Sequence, residues 1–235
     1  MLAKFLATAS LFGIAASQTT LAKTFTGWNC CKPGCAAVSN NNILNSRGSV
    51  KVCDRDNNPL ASDVGRGTSS TCEGANSDSG FLCHDYSPIP VSDELSYGFA
   101  IQVGGNINAD NPNCCRCYEL EWLDRNKKMI VQTVYPGGAA GDVRANDLII
   151  LTPGGGLGPV GRACSAQYGS GYNWGNNFGG ISSAEGCSQL PERLQGGCYW
   201  RYNWAGGDVN GWEIVYRPIE CPSRLTDISG CASNP

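Results

Sequence analysis

The chain has 235 residues, a net charge of −3 and only 16% charged residues, together with 31 glycines and 14 cysteines. The lack of a basic patch argues against nucleic acid or an anionic membrane as a partner. High glycine content and scarce helical periodicity favour a loop-rich β protein, and the length fits one large β domain or two small ones.

The first 22 residues have the pattern of a secretory signal peptide. Lys4 precedes an apolar run over residues 5–16, and small residues follow, so cleavage is expected between Ala16 and Ala22. The apolar run is too short to span a bilayer, and no later stretch is long enough. We therefore expect a secreted, extracellular protein that starts near residue 23.

Five segments have the composition of β-strands and are separated by glycine, proline and asparagine clusters. In chain order they are residues 97–103, 117–123, 129–134, 148–151 and 212–216. A short helix is predicted within residues 183–194, with Ser182 or Ser183 as its N-cap, and residues 36–80 are predicted to be mostly loop. Many short strands joined by long loops indicate a mainly β protein, built as a β-barrel with long excursions.

Fourteen cysteines behind a signal peptide predict seven disulfides, because the secretory route oxidises thiols. The rival interpretation is a zinc site at Cys114, Cys115 and Cys117, but this cluster lacks the paired C-x₂-C spacing of a zinc ribbon. Disulfides are therefore favoured and no metal is expected, although spacing alone leaves the connectivity open.

The residue inventory disfavours several kinds of catalytic centre. His84 is the only histidine and adjoins Cys83, so we interpret it as a loop residue rather than a base. The glycine-rich run at 153–158 has no helical pattern after it, which favours a tight turn over a phosphate-binding loop. No cofactor is expected.

Carboxylates and aromatic residues remain as candidates for chemistry. Six tryptophans and nine tyrosines suit stacking on sugar rings, although most are expected to fill the core. A glycosidase needs two carboxyl groups flanking the scissile bond, about 6.5–9.5 Å apart in inverting enzymes. The candidates are Asp142 and Asp147 in the segment GDVRANDLII.

Several motifs together resemble glycoside hydrolase family 45, which consists of secreted cellulases. They are CCKPGC at 30–35, CCRCYEL at 114–120 with MIVQ at 129–132, DLIILTPGGGLG at 147–158, and FGGISS at 178–183 with GCYWRYNW at 197–204. The resemblance implies a six-stranded double-psi β-barrel with disulfide-stapled loops, a few short helices and an open groove. It also implies inverting, endo-acting cleavage of β-1,4-glucan.

The resemblance covers nearly all of residues 23–235, so we expect a single catalytic-type domain without an appended carbohydrate-binding module. A β-glucan polysaccharide is the implied partner, and nothing signals oligomerisation, so a monomer is expected. The family pattern further implies seven disulfide pairs. They are Cys30–Cys164, Cys31–Cys72, Cys35–Cys114, Cys53–Cys83, Cys115–Cys231, Cys117–Cys221 and Cys187–Cys198.

Transferred residue by residue, the family's catalytic pair changes in this chain. The family has a general-base aspartate before the double cysteine, and here that residue is Asn29. Asp147 matches the general acid, although two extra residues separate it from Pro153. A further family aspartate, which follows a Gly-Gly pair, is replaced by Ala139. Asp142 in the same lengthened loop is a possible substitute.

The aromatic residues expected along the groove are also fewer. Trp28 is kept and is the implied substrate-binding residue. Gly27 and Ala37 stand where the family has a tyrosine and a tryptophan, and Ala145 and Asn146 stand where it often has histidine and phenylalanine. Each lost aromatic weakens binding by roughly 1–3 kcal/mol, by analogy with transfer values.

These departures leave three hypotheses open. The protein is a family 45-like endoglucanase with reduced activity, using an asparagine tautomer or Asp142 as the base. Alternatively it is a non-hydrolytic β-glucan-binding protein that acts as expansins do, or its groove has shifted to another glucan such as xyloglucan or to a protein. The structural interpretation of Asn29, as a cap of the turn before Cys30, is equally open.

Overall fold

The computed structural model describes residues 19–37, 46–74, 79–104, 113–137 and 141–233. Its centre is a barrel of six strands: β1 Thr20–Gly27, β4 Leu95–Val103, β5 Cys117–Trp122, β6 Lys128–Gly137, β7 Leu148–Leu151 and β8 Trp212–Ile219. The strand order is β4-β6-β5-β8-β1-β7, and β7 pairs back onto β4 to close the barrel. The mainly β class and the six-stranded barrel are therefore confirmed.

Smaller elements decorate the barrel. The strand β2 Ser46–Arg47 pairs with β9 Ala232–Ser233, and β3 Ile89–Pro90 pairs with β4. The helices are α1 Ser62–Gly67, α2 Arg162–Tyr168, α3 Glu192–Tyr199 and α4 Ser223–Ser229. Short 3₁₀ segments lie at Gly34–Ala37, His84–Tyr86 and Glu185–Gln189, and a π-helical turn lies at Trp200–Ala205. Within the described ranges, no helix is both long and apolar enough to cross a membrane.

The five predicted strands are present, with ends that differ by a few residues, but the prediction missed β1. Its first residues had been assigned to the signal peptide, although Ala22 is buried and residues 20–24 pair with β8. Residues 1–18, which form most of the predicted signal peptide, lie outside the described ranges. Cleavage after Ala22 would remove three residues that pair with β8, whereas cleavage before Thr20 keeps the strand whole.

The short helix predicted within residues 183–194 corresponds to a 3₁₀ segment at Glu185–Gln189, whose N-cap is Ala184 rather than Ser182 or Ser183. This segment ends at Gln189, and α3 begins only after Pro191, whose side chain makes no capping hydrogen bond. Proline lacks an N–H donor and is tolerated only at the start of a helix, so it divides the region in two. In the described parts of 36–80, namely 36–37, 46–74 and 79–80, the predicted loop is interrupted by the end of the 3₁₀ segment Gly34–Ala37, by β2 and by α1.

The strand register decides which side chains face outward. β1 runs parallel to β7, with Thr24 opposite Leu148, and β4 runs antiparallel to β7. Leu148 and Ile150 are fully buried in the cluster that fills the barrel. Because successive side chains on a strand alternate between faces, Ile149 lies on the outer face.

The structure pairs all fourteen cysteines, so Cys114, Cys115 and Cys117 are not zinc ligands. The bridges are Cys30–Cys164, Cys31–Cys72, Cys35–Cys114, Cys53–Cys83, Cys115–Cys231, Cys117–Cys221 and Cys187–Cys198. These are the pairs that the family resemblance implies. They join the long loops to the barrel through a buried cluster that contains most of the half-cystines.

Candidate active site

A groove runs along the outer face of β1 and past its C-terminal end. It consists of three adjoining cavities, here called proximal (710 Å³), central (520 Å³) and distal (520 Å³). The proximal and central cavities share Phe25, Asp142 and Asn210 in their walls. Asn29 lies in the walls of both the central and the distal cavity. The groove is therefore long enough to hold an extended ligand.

The floor of the central cavity is apolar. The strand residues that line it are Phe25, Thr26, Gly27, Ile101, Ile149 and Leu151. A Cβ atom at Gly27 would stand 3.1 Å from Cγ2 of Ile149, so Ile149 fills the space above this glycine. Among the described residues that line the central cavity, Asp142 is the only carboxylate.

Asn29 is positioned by a tight turn at the end of β1. Its Oδ1 accepts a hydrogen bond from the backbone N–H of Cys31 at 3.0 Å. The turn places Cys30 at φ 60°, and Cys30 is anchored to Cys164. The side chain thus caps the turn, as the structural interpretation proposed, while it also borders the groove.

Asp147 lies in the wall of the proximal cavity with only 4% of its surface exposed. Its Oδ1 accepts a hydrogen bond from the backbone N–H of Lys23 at 2.8 Å, and its Oδ2 accepts one from Arg144 at 2.7 Å. Both carboxylate oxygens therefore bind backbone donors. The side chain links the 141–147 loop to β1 and so stabilises the fold.

The structure does not bring Asp147 opposite Asn29. The parallel register places Asp147 beside Lys23, where its carboxylate is held by the backbone N–H. The extended strand from Lys23 to Gly27 alone covers about 13 Å, and Asn29 lies two residues further on. Asp147 lines the proximal cavity together with Asp142, whereas Asn29 lines the central and distal cavities.

The other two predicted site residues have different environments. Asp142 is exposed and lines both the proximal and the central cavity, so it shares a cavity with Asn29. Trp28 lines the central cavity but belongs to the core and has only 1% of its surface exposed. Instead, Phe178 is the exposed aromatic at the central cavity, with 68% of its surface accessible. Sequence analysis missed this role, although an aromatic residue before a Gly-Gly loop was visible in FGGISS.

The wall opposite the floor is held by a buried arginine. Arg201 is fully buried, and its guanidinium donates hydrogen bonds to the carbonyl oxygens of Gly154 (2.8 Å), Ile181 (3.0 Å) and Gly179 (3.2 Å). Burial lowers the pKa of Arg201, while the nearby Tyr202 and Asp208 oppose this effect. A Cβ atom at Gly180 would stand 1.9 Å from the Gly154 oxygen, so only glycine allows these loops to meet. The glycine-rich run at 153–158 is the predicted turn.

The family model for Glycosyl hydrolase family 45 matches residues 22–232. The chain belongs to this family. It is 32% identical to an endoglucanase of Cryptopygus antarcticus, over 88% of this chain and 87% of that protein. It is 37% identical to a putative endoglucanase type K of Fusarium oxysporum, over 87% of this chain, but it spans only 51% of that protein.

A solved family 45 structure agrees with the fold. The crystal structure of a cellulase from the Antarctic springtail Cryptopygus antarcticus superposes with a TM-score of 0.77 at 31% identity. The match covers 93% of this chain and 99% of that one. The whole barrel, including its stapled loops, is therefore a family 45 fold.

His84, the one histidine of this family 45 chain, makes contacts that stabilise the fold. Its Nε2 forms a hydrogen bond with the Tyr168 hydroxyl, and the two rings stack with centroids 5.6 Å apart. It does not line any of the three cavities of the groove. Burial lowers the pKa of His84 below its ordinary value of 6.5, and nearby Arg193 adds to this effect, while Asp85 opposes it.

We expect the stability of the protein to fall between pH 7 and pH 5, in part because of His84. Its pKa is lower in the folded state, so the unfolded chain binds more protons as the pH drops below about 6.5. The unfolding midpoint in guanidinium chloride, measured at several pH values, checks this. His84→Gln should flatten the pH dependence in that window, and equal slopes for both proteins would contradict the assignment.

Proposed function

We propose that the protein binds a β-1,4-glucan chain in the groove and hydrolyses it very slowly or not at all. One observation carries this proposal: Asp142 is the only carboxylate among the described residues of the central cavity, where Asn29 also lies. Inverting hydrolysis requires one group to protonate the leaving oxygen and a second to activate water. The central cavity offers one carboxylate and one amide.

Binding is supported by the chemistry of the groove. Phe178 exposes its ring at the edge of an apolar floor, which suits the apolar C–H face of a pyranose ring. Asn29 and Asn177 line the central cavity and supply amide groups for sugar hydroxyls, whereas the Oδ1 of Asn210 accepts hydrogen bonds from Thr26. The endoglucanase names of the relatives point to the same class of ligand.

Replacement of the general base by Asn29 predicts how far the rate of hydrolysis falls. An amide has no basic lone pair at neutral pH, so Asn29 can orient a water but does not readily take its proton. General base catalysis contributes about 10²–10⁴-fold, which corresponds to roughly 3–5 kcal/mol of barrier. Any residual hydrolysis would use Asp142 as the substitute base, because it shares the central cavity with Asn29. Asp142→Asn should then abolish that residual activity.

The setting of this function is also part of the proposal. Seven disulfides suit an oxidising, extracellular environment, which agrees with the predicted signal peptide. We propose that the protein acts outside the cell as a monomer, without nucleic acid or a membrane as partner.

Binding to amorphous cellulose tests the proposal together with the release of reducing ends. We expect saturable binding of the secreted protein, and reducing-end release at least about 100-fold below that of an active family 45 enzyme. Phe178→Ala should weaken binding about 2- to 10-fold, the value of one aromatic stacking contact. Tyr172→Ala is the control, because Tyr172 is 41% exposed and does not line the groove. Rapid release of reducing ends, or no binding, would contradict the proposal.

A further inference from the structure

Asp147, which directly precedes β7, and Ile149, which lies within it, reach different parts of the groove. Asp147 lines only the proximal cavity, whereas Ile149 lines the central cavity together with Asn29. Ile149 pairs with Phe25 on β1 and with Ile101 on β4, so it lies in the middle of the apolar floor. Along the strand it is about 7 Å nearer to the Asn29 end than Asp147 is.

The sequence offset points to the same position. Asp147 matches the family's acid only if two extra residues separate it from Pro153. Without that offset, the matching position is 149. The structure places Ile149 at the floor of the cavity that holds Asn29, while Asp147 has both oxygens bound by backbone donors elsewhere.

We propose that Ile149 occupies the general-acid position of this groove, so that both members of the inverting pair are replaced. This inference rests on the proposed function and explains it further. An aliphatic side chain has no proton to donate, and it extends the apolar surface on which a pyranose ring can lie. The groove is then a glucan-binding surface in which an amide and a hydrocarbon occupy the positions of the base and the acid.

The position is suited to a carboxylic acid. Ile149 is only partly exposed, and its neighbours Phe25, Gly27 and Ile101 are apolar or carry no side chain. A carboxyl group placed there would be partly desolvated, which disfavours the charged form and raises its pKa. A general acid must hold its proton near neutral pH until the leaving oxygen takes it.

The double variant Asn29→Asp/Ile149→Asp would supply both carboxyl groups that the inverting reaction needs. A water attacks the anomeric carbon and passes a proton to the carboxylate introduced at position 29. The glycosidic C–O bond breaks, and its leaving oxygen takes the proton from the carboxyl introduced at position 149. The new reducing end is released as the α-anomer, because attack and departure occur on opposite faces.

The experiment compares five secreted proteins on amorphous cellulose: native, Asn29→Asp, Ile149→Asp, the double variant, and Asn29→Asp/Ile101→Asp. The last is the matched control, because Ile101 is the cross-strand neighbour of Ile149 in the same floor. We expect the double variant to release reducing ends at least about 100-fold faster than native and both single variants. The control should gain no more activity than Asn29→Asp alone does, and NMR of the double variant's products should show the α-anomer first.

Each other outcome overturns a distinct statement. If the double variant folds and binds cellulose as native does but stays silent, the assignment of Ile149 is wrong and the proposed function stands. An equal gain in the Ile101 control also overturns the assignment. If the native protein already hydrolyses cellulose rapidly, the proposed function itself fails. Should aspartate at position 149 prevent secretion, Asn29→Asp/Ile149→Glu takes its place, and silence of that folded protein overturns the assignment equally.

Discussion

Asp147→Ala is expected to lower the free energy of unfolding by about 3–6 kcal/mol, since each of its two hydrogen bonds to a charged group contributes about 1.5–3 kcal/mol. The Asp147 carboxylate is 4% exposed and accepts hydrogen bonds from the backbone N–H groups of Lys23 and Arg144. Removal leaves both donors without this partner and loosens the junction between the 141–147 loop and β1. Chemical denaturation of the secreted variant measures the loss.

Asp142→Ala is the matched control for this prediction. Asp142 lies in the same loop but is exposed, so its removal should change stability by less than about 0.5 kcal/mol. A general acid at position 147 would give the reverse pattern: activity would vanish while stability stayed intact. A stable Asp147→Ala protein that has lost hydrolysis would therefore contradict the structural role assigned to Asp147.

Removal of the Cys30–Cys164 bridge is expected to cost about 4 kcal/mol of stability. The two cysteines are 134 residues apart, but the Cys35–Cys114 bridge shortens the path between them to about 55 residues in the unfolded chain. The entropy of closing a loop of that size sets the estimate. The same bridge anchors the turn that holds Asn29, so we expect the groove to lose affinity for glucan as well.

The bridge Cys187–Cys198 provides the comparison. Its sequence separation is 11, and the same loop-closure relation gives a loss of about 3 kcal/mol. Guanidinium unfolding of Cys30→Ala/Cys164→Ala and of Cys187→Ala/Cys198→Ala measures the difference directly. If the second pair proves the more costly, the bridge at Cys30 is not the main constraint on the end of β1.

Local sequence patterns were sufficient for most of the barrel. Short apolar runs between glycine and proline clusters marked β4 to β8, because strand formation there depends on nearby residues. The strand β1 was missed because its first residues also fit the end of a signal peptide. Pro191 separates the 3₁₀ segment at Glu185–Gln189 from α3, and the sequence analysis did not use this proline as a helix boundary.

The candidate site depended on information that local patterns do not hold. Asp147 directly precedes β7, and Ile149 lies within it two residues later, so a strand pattern with a period of two does not distinguish their positions. Sequence analysis chose Asp147 because it carries a carboxylate. The register against β1 instead places Ile149 in the central cavity with Asn29. Trp28 was expected to bind substrate, and it does line the central cavity, but its 1% exposure is a tertiary property that the sequence does not show.

Incubation of the native protein with cellohexaose tests the central claim most directly. Calorimetry measures binding of this oligosaccharide, and mass spectrometry of the same sample measures its integrity. We predict saturable binding of an oligosaccharide that stays intact over many hours, because the central cavity lacks a second carboxylate among its described residues. Cleavage into shorter sugars at ordinary enzyme rates, about 1–10³ per second, would contradict the account.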